Sequence, residues 1–105
     1  MLRIYPVCLQ MVKAVRPYED RIALFDRNLA SQLKDASSSV PLNVAEGSGA
    51  RAGRRRNAYD IALGEARETL CILQVAESKA YIDGIEPRLL RMLDQIIGTL
   101  VNVLY

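Results

Sequence analysis

Few residues in this chain could do chemistry. Its 105 residues include no His and only two Cys. Without imidazole there is no Ser-His or Cys-His nucleophile, no His-ligated zinc and no Glu-x-x-His di-iron motif. Cys8 and Cys71 lie far apart on or beside apolar stripes. They read as small buried hydrophobes rather than a redox pair. Glu65 with Glu68, and Asp60 beside a run of Arg, read as surface ion pairs and not as metal ligands. The segment SGARAG (48–53) lacks the GxxxxGK[ST] pattern of a phosphate loop. The expectation is a non-enzyme with no metal and no cofactor.

Two constellations survive that elimination. Arg51, Arg54, Arg55 and Arg56 supply four of the 14 Lys and Arg, and their segment holds none of the 12 Asp and Glu. They fall at a turn entering a helix, where guanidinium groups can clamp phosphates with help from the free N–H groups of the helix start. The alternative is a solvated charged turn. Cations at a helix N-terminus oppose its macrodipole, however, so the arrangement works against local stability and leans towards a binding role. The second constellation is Asn43, on an apolar seam, with Glu46 one turn later. Buried polar groups need partners, and Arg51, Arg67 and Arg16 are candidates to pair with Glu46. A structural polar network that fixes helix register or a subunit contact is the favoured reading, ahead of a polar site inside the bundle.

The elements that must hold these residues follow from periodicity. Cys8, Met11, Val15, Tyr18, Ile22 and Phe25 recur at helical spacing and stay in phase across Pro17, which predicts one kinked helix over 6–25. Asp26 is placed to cap the next helix. Leu29, Leu33, Ala36, Val40, Asn43 and Gly47 carry that helix over 27–48, despite Ser37–Ser39 and Pro41, which alone would suggest a loop. Tyr59, Ala62, Ala66, Leu70, Leu73, Ala76 and Ala80 form a stripe rich in small residues over 54–81, broken by Asp83-Gly84. Leu89, Leu93, Ile96, Leu100 and Val103 mark a fourth helix over 86–104, with a second stripe at Leu90, Ile97 and Leu104. Two adjacent stripes let a helix pack on two sides, once in its own bundle and once against another subunit. No segment alternates with the period of a strand. The connections are short, so the prediction is an all-α, antiparallel up-down four-helix bundle forming a single domain over 1–105.

Length and composition agree with that frame. Half the residues are apolar and a quarter charged, the net charge is +2 and the pI is near 8.7, which is only mildly basic. No apolar run is long enough for a membrane span, the N-terminus lacks the pattern of a signal peptide, and two lone cysteines fit a reducing cytoplasm. A soluble cytoplasmic protein with no membrane partner is expected.

The stretch QLKDASSSVPLNVAEGSG (32–49) resembles the signature of the four-helix-bundle proteins first noticed in intervening sequences of bacterial 23S rRNA genes. Gln32, Leu33, Ser39, Val40, Pro41, Asn43, Val44, Ala45, Glu46 and Gly47 fall in its register. IALGEARETL (61–70) is similar to the third-helix segment of that family, through Ala62, Gly64 and Glu68, although Lys79 stands where a Gly is common. The resemblance implies an up-down bundle that assembles as a homopentamer around a central channel. A related branch, the accessory proteins of diversity-generating retroelements, implies binding to nucleic acid and to a partner protein such as a reverse transcriptase. Two functions are thus expected in order: RNA or DNA binding through the Arg51–Arg56 patch, then a protein-interaction or assembly scaffold.

Overall fold

A computed structural model describes residues 1–105, and their order is α1 (Tyr5–Ala23), α2 (Arg27–Gly49), α3 (Ala52–Ser78) and α4 (Pro87–Leu104). Each helix packs against the next in the chain, and α4 closes on α1. The α2–α3 contact is the most extensive and the α1–α4 contact the least. The all-α antiparallel four-helix bundle read from the seams is the fold of the chain, in a body of 42 × 24 × 20 Å.

The predicted seams are the core. Cys8, Met11, Val15, Tyr18 and Ile22 of α1 are buried, and they meet Leu33, Ala36, Val40 and Val44 of α2 inside one apolar cluster. Leu89, Leu93, Ile96 and Leu100 of α4 complete it. Pro17 and Pro41 both lie inside helices that continue through them. Each removes one backbone donor, and neither outweighs the apolar face that its helix buries. Asn43 Nδ2 donates to Ser39 O and to Ser39 Oγ, both at 2.9 Å, a contact within α2 that brackets the proline without replacing the donor it lacks.

Helix ends differ from their expected places for local reasons. Helix α1 stops at Ala23, because Leu24 N bonds Arg21 O at 3.2 Å and Phe25 N bonds Ile22 O at 2.9 Å in a tightened final turn. Phe25 therefore leaves the seam, 61% exposed, and its ring stacks on Tyr81 at 5.1 Å. Asp26 caps α2, accepting from Leu29 N at 2.9 Å. Helix α3 ends at Ser78, three residues before the expected point. Tyr81 N reaches back to Ala76 O and Ala80 N to Glu77 O, which satisfies two terminal carbonyls and requires Ala80 in the left-handed region at φ 61°. Glycine usually occupies that place; here the nearest glycine, Gly84, comes too late to serve. At the end of α4 it is Leu104 that is buried, while Val103 of the expected seam is exposed.

Small residues decide how close α2 and α3 come. Ala58, Ala62, Ala66 and Ala76 of α3 are buried with Ala30 and Ala36 of α2. At Gly47 the approach leaves no room for a side chain, since a Cβ there would lie 2.6 Å from Tyr59 Cδ1. Tyr59 is thus seated on a glycine backbone, and its hydroxyl lies 3.2 Å from Ser48 Oγ. Ser48 donates its single proton to Val44 O at 2.9 Å, so Tyr59 must be the donor to Ser48. The Gly47-Ser48 pair forms a socket for one aromatic side chain.

Candidate nucleic-acid interface

The α2–α3 turn is short enough that only Ala50 and Arg51 separate the two helices. Arg51 is the N-cap residue of α3 and contributes no side-chain cap, and no acidic residue stands in the first turn. Arg54, Arg55 and Arg56 project from that turn, and all four arginines are exposed. The sequence-predicted cluster is therefore one spatial cluster. Its members do different things.

Arg55 turns back on the turn itself. Its Nε and one Nη donate to Ala50 O at 3.2 and 3.0 Å, and Ala50 is the C-cap residue of α2. Arg56 reaches across the bundle, donating to Leu104 O at 2.7 Å in the last turn of α4, with its guanidinium 5.6 Å from the Tyr105 ring centroid. In an antiparallel bundle the start of α3 lies beside the ends of α2 and α4. Arginines that oppose the dipole of their own helix thus complement the carbonyl ends of two neighbours. This accounts for part of the local cost seen in the sequence. Arg51 and Arg54 have no such carbonyl partner.

The expected Asn43–Glu46 network does not form across helices within the chain. Asn43 is half-buried and bonds back to Ser39 on its own helix, while Glu46 is exposed. Asn43, three residues past the buried Val40, falls to the side of α2, and Val44, four residues past it, takes the core position instead. Cys71 likewise is exposed, against the expectation of burial, whereas Cys8 is buried and its thiol is pushed up to about 11 by that burial. Glu65 and Glu68 lie one turn apart on α3. Partial burial first, and then the charge of Glu68 and a hydrogen bond with it, raise the Glu65 carboxyl above its ordinary value.

Sequence reasoning missed a second cationic region. An open groove of about 570 Å³ runs between α1 and the start of α4, and Lys13, Arg21 and Arg88 line it with Gln10, Tyr18 and Glu86. Lys13 and Arg21 share one face of α1 through a repeat of four, but no sequence spacing ties them to Arg88. Tyr18, read only as a seam residue, also accepts a hydrogen bond at 2.9 Å from Glu86 N, which fixes the start of α4 against α1.

Residues 2–102 match the family model described as the 23S rRNA-intervening sequence protein. The chain belongs to that family. No curated protein and no solved structure matches it. In this family member the signature residues read from α2 have structural duties: Asn43 spans Pro41, and Gly47 seats Tyr59. No helix is long and apolar enough to cross a membrane.

Proposed function

We propose that this 23S rRNA-intervening sequence protein is a non-catalytic bundle that binds RNA or DNA, with Arg51 and Arg54 among its phosphate contacts. The observation that carries the reading is the exposed arginine cluster at the start of α3, of which two members retain no partner within the chain. Arg55 and Arg56 keep their charge while bonded and add to the local potential. The N–H groups of the first turn of α3 lack side-chain partners and face the same end.

Self-association belongs to the same proposal, as a pentamer on the family resemblance. Leu9, Leu42, Ile61, Val75, Leu90 and Val103 are large apolar residues left exposed by the single chain, on all four helices. Faces of that kind support burial against further copies, and a closed ring would repeat the arginine cluster on every subunit. Light scattering that returns the mass of one chain would remove this part of the proposal.

Binding to a structured RNA, followed by fluorescence anisotropy over a series of salt concentrations, tests the nucleic-acid reading. Affinity should fall steeply with salt, and Arg51→Gln/Arg54→Gln should weaken it and flatten the salt slope by about 1 to 2. Affinity that is independent of salt, or unchanged in that variant, rejects the assigned contacts. A protein-interaction scaffold is the second reading, favoured by Leu24 and Phe25, 81% and 61% exposed at one tip of the bundle. Capture of a protein partner that survives nuclease treatment and is lost on Phe25→Ala would favour it.

A further inference from the structure

The bundle has two grooves along α1, and their charges are arranged differently. The α1–α2 groove holds Arg16, Arg27 and Lys34 together with Glu19 and Asp20. Its acids and bases answer one another: burial raises the Glu19 carboxyl, and the charges of Lys34 and Arg16 act on it in the opposite sense. The α1–α4 groove holds Lys13, Arg21 and Arg88 against the single carboxylate of Glu86. All three cationic side chains are exposed, and none donates to a carbonyl of the chain, unlike Arg55 and Arg56. Lys13 and Arg21 are eight residues apart on one helix, which sets them about 12 Å apart along its axis. Arg88 faces them from the first turn of α4, where a cation opposes the helix dipole. Across its floor Glu86 N donates to the Tyr18 hydroxyl, which ties the start of α4 to α1.

An aromatic pair, exposed Phe25 on half-buried Tyr81, stands at the same end of the bundle. Phe25 of the α1–α2 turn lies four residues beyond Arg21, and Tyr81 belongs to the connection that ends at Glu86. The two rings stack at 5.1 Å with an angle of 6°, and Lys79 Nζ lies 5.9 Å from the Tyr81 centroid. A cationic track with an exposed aromatic ring at the same end of the bundle is the combination that holds single strands, through phosphates and through base stacking.

We propose that the α1–α4 groove binds the phosphodiester backbone of single-stranded nucleic acid through Lys13, Arg21 and Arg88, with Phe25 of the Phe25–Tyr81 stack receiving a base. The inference rests on the reading that the protein binds nucleic acid, but it assigns a site at the end opposite the arginine turn. A duplex presents its bases already stacked, so the aromatic pair distinguishes single strands from duplexes.

The test uses the full chain with fluorescein-labelled oligo(dT) and with a labelled duplex, each over a range of salt. Lys13→Gln/Arg21→Gln/Arg88→Gln should lose at least about tenfold in affinity for the single strand and flatten its salt slope by about 2. Phe25→Ala should weaken oligo(dT) by about tenfold and leave the duplex unaffected. Every altered side chain is exposed, and circular dichroism on each variant verifies the helical fold. If the triple variant keeps wild-type affinity and slope while wild type binds, the groove assignment is wrong and nucleic-acid binding stands without it. A loss of affinity at unchanged salt slope also overturns it, because a phosphate contact must alter the slope. Equal losses on strand and duplex in Phe25→Ala overturn the base-stacking role. Wild-type protein that binds neither probe overturns both this inference and the proposed function.

Discussion

The two ends of the bundle use cationic side chains in opposite ways. At the α2–α3 turn, arginines adjacent in sequence are partly spent on the chain itself, closing the carbonyl ends of α2 and α4. At the other end, two cations of α1 and a third from α4, far along the chain, line an open groove and bond to no carbonyl. Density of charge along a sequence and availability of charge in space are therefore separate quantities. The arginine run draws attention in the sequence, yet half of it has structural work. The groove is silent in the sequence, and its three cations are exposed.

The comparison can be broken first at Gly47, which sets how α2 and α3 meet at the arginine end. Gly47→Ala should destabilise the fold by about 1 to 3 kcal/mol, because its methyl group would overlap the Tyr59 ring. Thermal or urea unfolding measures it; the same substitution at Gly64, where nothing lies within 4 Å, serves as the control. No loss of stability at Gly47 would show that the aromatic socket relaxes freely.

Next comes the division of labour among the arginines. Arg56→Gln should cost about 1 kcal/mol of stability, since it removes a charged donor from the end of α4, whereas Arg54→Gln should cost close to nothing. Equal effects would erase the distinction between structural and available arginines. At the opposite end Ala80→Gly should stabilise the protein by about 0.5 to 1 kcal/mol, because glycine adopts the left-handed conformation there without a side-chain penalty. A destabilised variant would mean that the methyl group of Ala80 has a packing role.

The smallest effect concerns Glu65. A carboxyl with a raised folded-state value contributes stability below its unfolded value, and that contribution is lost as pH rises through the folded value. Glu65→Gln should therefore stabilise the chain by about 0.3 kcal/mol at neutral pH, where Glu68 is one turn away, and change little at acidic pH. Urea titrations at the two pH values decide it, and the opposite sign would place a cation near Glu65.

The fold was legible in the sequence because each helix buries one continuous stripe, and that stripe kept its phase through Pro17, Pro41 and the serines of α2. Helix ends were less legible. Ala80 in a left-handed conformation and Phe25 leaving its seam follow from backbone bonds that close the last turns of α3 and α1, which side-chain period does not encode, so period alone extends both helices too far. The arginine cluster was visible as composition. Its use of the α2 and α4 carbonyls was not, because that depends on which helix ends are neighbours in space. Glu46 does not pair across helices for a related reason: its spacing from Asn43 fits a shared face, but that face turns outward within one chain, where only a subunit contact could meet it. The groove of Lys13, Arg21 and Arg88 arises only from folding, since α1 and α4 are at opposite ends of the chain.

The contrast between the two cysteines gives the molecule a built-in reporter. Cys8 is sealed in the core with its thiol held protonated, while Cys71 faces solvent in the last third of α3. A maleimide dye added to the folded protein should therefore mark one defined point per chain, with no engineered residue. In the proposed assembly, energy transfer between dyes on neighbouring copies would read the spacing of subunits directly, and the number of dyes per particle would count them or return one.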